Sequence, residues 1–192
     1  LHNYYQPTQF FFIGLIIGSI PLLFKEAEPQ KNFSPRHWFA LVLAALLVAA
    51  MAFITPVAST ELIKPLTIFS IIRLFFSGWM ASIAMLLPGI SGSFILILLG
   101  VYSTAIYALS TLDLPLLIII GAGVIAGFAL SSKGISYVLA RYPHMTYGVI
   151  LGLLIGSVIA VFPGFSTHML IIVMSVISFG AGLVLASLFG SR

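Results

Sequence analysis

The residues of this chain best suited to chemistry fall in one short run, Leu87-Pro88-Gly89-Ile90-Ser91-Gly92-Ser93-Phe94. Its proline and two glycines interrupt an apolar region that reaches from Thr67 to Leu109. Pro88 removes a backbone donor and Gly89 admits a tight turn, so one helix is expected to end at Leu87 and another to begin near Ser91. The first N–H groups of a helix have no intrahelical acceptor and carry partial positive charge. Together with the hydroxyls of Ser91 and Ser93 they suit a phosphate or a carboxylate. The plain alternative is a packing kink whose serines satisfy only backbone. Arg73 is the other candidate, the one cation inside a long apolar run. An arginine at the bilayer centre costs about 2.5–3.5 kcal/mol on insertion scales, which favours a functional reason for it. It lies near the start of its run, however, and can also snorkel to the outer interface. With a re-entrant break, Arg73 guards the outer mouth and the serines lie deeper, making a graded anion path.

Other chemistries find less support. Gly89-Ile90-Ser91-Gly92 also reads as the Gly-x-Ser-Gly of a rhomboid-like intramembrane serine protease. That reaction needs a histidine base within hydrogen-bond reach of the serine. His37 and His144 fall between apolar runs, His168 at the outer end of the last one, and Gly148–Phe162 contains none. The absence of cysteine excludes disulfides, thiolate metal sites and a cysteine nucleophile, and no metal or cofactor site is expected. Glu26, Glu28, Glu61 and Asp113 all lie between the runs, so no proton relay is visible, although His168 could respond to outside pH.

The elements that must position these residues are set by composition. Of 192 residues 61% are apolar and 6% charged, with a mean hydropathy of +1.22. A water-soluble domain carries about 25% charged residues. The fold is therefore expected to be all-α and polytopic, with lipid as its solvent. The net charge of +4 is placed between apolar runs, which reads as membrane topology and not as nucleic-acid binding. Seven runs stand out: Phe10–Phe24, Trp38–Thr55, Thr67–Leu87, Phe94–Leu109, Leu114–Leu130, Gly148–Phe162 and His168–Phe189. Ser34-Pro35 and Asp113 with Pro115 supply helix-start chemistry. Lys25, Lys31 and Arg36 share one connector, Lys133 and Arg141 another, and Arg192 ends the sequence. The remaining connectors hold Lys64 beside Glu61, and Asp113 alone. Basic loops in the cytoplasm give a consistent parity. The first run then travels inward, the second outward, and the last brings the C-terminus inside. Runs three and four together start and end outside, as two spans or as one re-entrant hairpin.

The glycines carry a repeat. Phe12-Ile13-Gly14-Leu15-Ile16-Ile17-Gly18-Ser19-Ile20 matches Ile150-Leu151-Gly152-Leu153-Leu154-Ile155-Gly156-Ser157-Val158 at five of nine positions. Independent small-residue packing faces would explain this. An inverted-topology repeat also would, because the two runs have opposite expected directions. Pro88-Gly89 lies 64 residues before Gly152, so its counterpart is expected roughly 50 residues upstream of Leu1. On that reading 1–60 is the tail of the first repeat and 61–192 the complete second. The small faces at Gly123 and Gly127, and at Gly148, Gly152 and Gly156, suit packing within one chain or in a homo-oligomer.

The string Gly78-Trp79-Met80-Ala81-Ser82-Ile83-Ala84-Met85-Leu86-Leu87-Pro88-Gly89-Ile90-Ser91-Gly92-Ser93-Phe94, followed by Leu98-Leu99-Gly100-Val101-Tyr102, resembles the bacterial polyprenyl-phosphate transporter family. Arg141-Tyr142-Pro143, Thr146, Gly152 to Ser157 and Pro163 extend the likeness over essentially the whole chain. The resemblance implies a non-enzymatic flippase of the inner membrane. Such a protein returns undecaprenyl phosphate from the outer to the inner leaflet for cell-envelope synthesis, with a proton or sodium ion as the coupling partner to be sought. It places Pro88, Gly89, Ser91, Gly92 and Ser93 in the substrate site, while Arg73 is added from its burial. The family carries a related Pro-Gly-x-Ser-Gly-Gly block in its first half, which this sequence lacks. A transporter of another small anion is the alternative.

Overall fold

The computed structural model describes residues 5–28, 33–54, 62–63, 66–164 and 168–190. Thr55, Lys31, Glu61, Lys64 and Arg192, used above for span limits and orientation, lie outside the described residues. Among those described, the chain forms eight helices and no strand: α1 (Tyr5–Ala27), α2 (Pro35–Met51), α3 (Ile68–Leu86), α4 (Gly92–Leu98), α5 (Tyr102–Thr111), α6 (Leu114–Arg141), α7 (Pro143–Val161) and α8 (Met169–Gly190). Five are long and apolar enough to cross a membrane, and the bent pair α4–α5 makes a sixth span if counted as one. With 17 residues α2 sits at the short end of the spanning range.

Helix starts follow the expected chemistry. Ser34 is the N-cap of α2 with Pro35 next to it, and its N–H donates to His37 Nδ1 at 2.9 Å. Asp113 Oδ1 accepts from Leu116 N–H at 3.4 Å, at the start of α6. The sequence-based end of that helix was too early. Helix α6 runs past Leu130 to Arg141, so Lys133 and Arg141 lie on helix and not in a loop. No proline interrupts the segment after Pro115, and a helix can continue beyond the bilayer. Pro143 stops it, holding Tyr142 at φ −134° and ψ 60° and opening α7 as its first residue. His37 and His144 accordingly sit in the first turns of α2 and α7.

The helices group into two compact units, α1, α2, α7 and α8 in one and α3 to α6 in the other. These are packing units, on which the repeat boundary near residue 60 does not depend. In the first, α1 runs parallel to α8, with Gly14 against the Phe179 carbonyl, Gly18 against Ala186 and Gly182 against the Phe11 carbonyl. Helix α2 runs parallel to α7. Gly148, Gly152 and Gly156 meet the carbonyls of His37, Leu41 and Ala45 in matched steps of four. A side chain at these glycines would strike backbone, so their faces are spent inside the chain. Helices α1 and α7 are antiparallel, with Phe10 edge-on to Phe162 at 6.0 Å.

In the second unit α3 and α6 are parallel, Gly123 meeting Phe75 and Gly127 meeting Trp79 and Ser82. Two parallel helices in sequence require the chain to return between them, and α4–α5 makes that return. Run four is not one continuous helix but two short ones at 115°. Leu74, Val101, Ala108 and Leu116 form the core where α3, α5 and α6 meet. Within each unit these directions agree with the parity expected from the basic residues. The outward faces stay apolar, with Phe69 76% and Ile125 71% exposed, as suits a lipid solvent.

Candidate functional site

The first break is built by its sequence. Leu87, ahead of Pro88, takes an extended conformation (φ −91°, ψ 123°) and ends α3. Pro88 and Gly89 occupy the centre of a turn closed by Ile90 N–H to the Leu87 carbonyl at 3.4 Å. Gly89 has φ +88°, the left-handed region that a type II turn demands at this position and that a side chain disfavours. Ser91 is the N-cap of α4 and Gly92 its first residue. Gly92 is buried against α3, where a Cβ would lie 2.6 Å from Met85 Cγ and 3.0 Å from the Ala81 carbonyl oxygen. The interruption expected at Pro88–Ser93 is thus present, with Gly89 needed for the turn and Gly92 for the close approach.

Ser91 and Ser93 are both exposed, and their hydroxyls lie 2.7 Å apart. Neither side chain caps α4. The buried serines of α3 behave differently: Ser77 donates to the Arg73 carbonyl and Ser82 to the Trp79 carbonyl, each at 2.7 Å. Their hydroxyls are used up on their own helix, whereas the Ser91–Ser93 pair faces outward. Because α4 has only seven residues, its pull on an anion comes from the local N–H groups of its first turn more than from a long dipole.

A second break, missed in the sequence, follows at Leu99-Gly100-Val101. Gly100 has φ +67°; its N–H donates to the Ile97 carbonyl and the Val101 N–H to the Leu96 carbonyl, both at 2.9 Å. This is a Schellman ending. Gly100 was the available signal, hidden because the apolar pattern continues on both sides of it. Arg73 belongs to this second break. Its Nη2 donates to the Leu99 carbonyl oxygen at 2.7 Å, placing a cation at the C-terminal end of α4. The side chain is exposed, and its other N–H donors have no partner among the described residues. Ser91 and Ser93 are brought together, but Arg73 lies at the other end of α4, about 12 Å along the axis at ~1.5 Å per residue. Arg73 is therefore a cap of the broken helix, and the serines and the arginine mark the two ends of one short segment.

Among the described residues no group of three or more His, Cys, Asp or Glu side chains could hold a metal ion. Among the described residues the Ser91 and Ser93 hydroxyls pair with each other and with no histidine, the base that a serine hydrolase would need.

Comparison with known proteins agrees with this picture. Residues 1–179 match the family described as undecaprenyl phosphate translocase-like. The chain is 38% identical to a polyprenyl-phosphate transporter of Staphylococcus aureus (strain NCTC 8325 / PS 47), over 99% of this chain and 70% of the relative. It is 33% identical to a polyprenyl-phosphate transporter of Vibrio cholerae serotype O1 (strain ATCC 39315 / El Tor Inaba N16961), over 82% of this chain and 47% of that relative. No solved structure matches the chain significantly. An all-helical membrane chain, broken at Pro88–Ser93 and matched over nearly its whole length, belongs to the undecaprenyl phosphate translocase-like family, a family of transporters and not of enzymes.

Proposed function

We infer that this chain is part of a flippase that carries undecaprenyl phosphate across the bacterial inner membrane, from the outer to the inner leaflet, for reuse in cell-envelope synthesis. The observation that carries the reading is the exposed Ser91–Ser93 hydroxyl pair at the break of a returning span, in a chain of this family. The substrate joins a long apolar tail to a phosphate. Its tail can stay in lipid, so the protein needs to shelter only the headgroup. Hydroxyls and unsatisfied N–H groups at a helix break offer that shelter without the cost of a buried fixed charge. Pro88 and Gly89 shape the turn, Gly92 seats it against α3, and Arg73 holds the far end of α4 while offering its remaining donors to a passing anion.

The C-terminus is assigned to the cytoplasm, by the excess of Lys and Arg at the ends of α1, α2 and α6. Moving negative charge inward then opposes an inside-negative potential by about 2.3 kcal/mol per charge per 100 mV. A protonated headgroup or a co-transported proton or sodium ion would offset that cost.

The test is movement of a fluorescent polyprenyl phosphate between leaflets of liposomes holding the full-length protein. Rapid movement of this lipid, with inorganic phosphate and small organic acids ignored, is the expected result. Transport of a small anion without lipid movement would replace this reading with the alternative substrate class.

A further inference from the structure

His37 and His144 are far apart in the sequence, yet the first unit brings their rings together, with centroids 6.3 Å apart and planes at 64°. Both lie in the first turns of parallel helices, His37 at the third position after the cap of α2 and His144 directly after Pro143 in α7. They stand at the end of the unit assigned above to the cytoplasm.

The two rings are held differently. His37 Nδ1 accepts the Ser34 N–H at 2.9 Å, the reciprocal half of a capping box in which Glu or Gln is the usual partner. A backbone N–H can only donate, so His37 is neutral here, with its proton on Nε2. Phe33 packs against the same ring at 5.4 Å. His144 Nδ1 is buried and has no hydrogen-bond partner among the described residues. Charge on either ring has a specific consequence. On His37, a proton at Nδ1 would face the Ser34 N–H donor to donor and open the cap. On His144, charge makes both ring nitrogens donors, and the buried Nδ1–H would find no acceptor beside the positive end of α7. The contact between the two helix starts therefore suits two neutral rings and is opposed by a charged one.

Helix α7 packs on α2 and α1. The charged and titratable groups at this end are Arg36 on α2, Lys25, Glu26 and Glu28 at the end of α1, and Tyr147 on α7, with Arg141 and Tyr142 just before it. Lys25, Glu26, Glu28 and Arg36 are exposed, so water and salt screen their action on the rings. The α2–α7 seam is also looser here than further along. A Cβ at Gly148 would lie 3.2 Å from the His37 carbonyl oxygen, while those at Gly152 and Gly156 would overlap the carbonyls of Leu41 and Ala45. The first turns are where the seam can part.

We propose that His37 and His144 form a proton-operated latch, closed while both rings are neutral and opened when either takes a proton from the adjoining water. The proton binds a ring nitrogen and leaves from it, with no other covalent bond made or broken. The use of the latch rests on the flippase reading, in which inward movement of a negative headgroup calls for a compensating proton; its chemistry does not. A nitrogen sealed in one arrangement and open in the other ties proton occupancy to conformation, which is what coupling requires.

The experiment places spin labels at Phe39→Cys on α2 and Met145→Cys on α7, both exposed positions, in the full-length protein otherwise free of cysteine and held in liposomes. Their separation is read by double electron–electron resonance as the pH falls from about 8 to 5, the range in which histidine side chains charge. The separation is expected to grow by several ångströms. The double variant His37→Gln/His144→Gln loses both titrations while Gln still supplies the acceptor of the capping box, so it should stay closed throughout. His37→Gln alone should keep a response carried by His144. A native separation that ignores pH, or an equally large change in the double variant, would overturn the latch. Lipid movement without a latch response sinks the latch alone. A latch response in a protein that moves no polyprenyl phosphate sinks the flippase reading and leaves the latch.

Discussion

Ser91 and Ser93 differ from the buried serines of α3 in what their hydroxyls do. Each is exposed and, among the described residues, pairs with the other at 2.7 Å. A phosphate oxygen replacing that mutual bond would gain charge-assisted hydrogen bonds, each worth roughly 1.5–3 kcal/mol. Removing both hydroxyls is expected to slow transport at least tenfold while leaving the fold unchanged, because neither supports a helix cap. Arg73 calls for a different experiment, since its guanidinium also serves structure at the Leu99 carbonyl. Arg73→Ala is expected to destabilise the second unit by about 1–3 kcal/mol, the cost of leaving a polar group unsatisfied. Arg73→Lys should recover part of that stability, as a single donor can still reach the carbonyl. Thermal unfolding in detergent would check both, and an unchanged midpoint for Arg73→Ala would remove its capping role.

At the scale of elements, the two breaks depend on backbone that only glycine adopts cheaply. Gly100→Ala must accept φ near +67° and is expected to cost ~1–2 kcal/mol. Gly123→Val would press a branched side chain onto the Phe75 backbone and separate α3 from α6. It should cost more than the ~1–3 kcal/mol of ordinary overpacking. Denaturation of the two variants would rank them, and the order reversed would contradict the parallel α3–α6 seam. The first break was legible in the sequence because Pro88 and Gly89 stand together, each with one conformational consequence. The second was not, since Gly100 is a lone glycine in an apolar run and its meaning depends on Arg73, 26 residues before Leu99. Likewise the length of α6 could not be read from hydropathy: Ser131, Ser132 and Lys133 end the apolar pattern but not the helix.

For the whole molecule, the directions of the helices carry the argument. We take α1–α2 and α7–α8 as the matching hairpins of an inverted repeat. Three observations favour this: the shared Gly-x-x-x-Gly-Ser, the antiparallel α1 and α7, and the exchange by which α1 packs on α8 and α2 on α7. The natural absence of cysteine makes the orientation directly testable, since any introduced thiol is the only one in this sequence. Asp113→Cys should react with an impermeant reagent added outside intact cells, and Lys133→Cys only after permeabilisation. The reverse pattern would invert the proposed orientation.

The most direct test of the central claim compares the native full-length protein with its Ser91→Ala/Ser93→Ala double variant in liposomes carrying fluorescent polyprenyl phosphate. The account predicts rapid leaflet exchange by the native protein and at least a tenfold loss in the variant at equal thermal stability. Undiminished exchange by the double variant would contradict the claim that the headgroup crosses at the Pro88–Ser93 break.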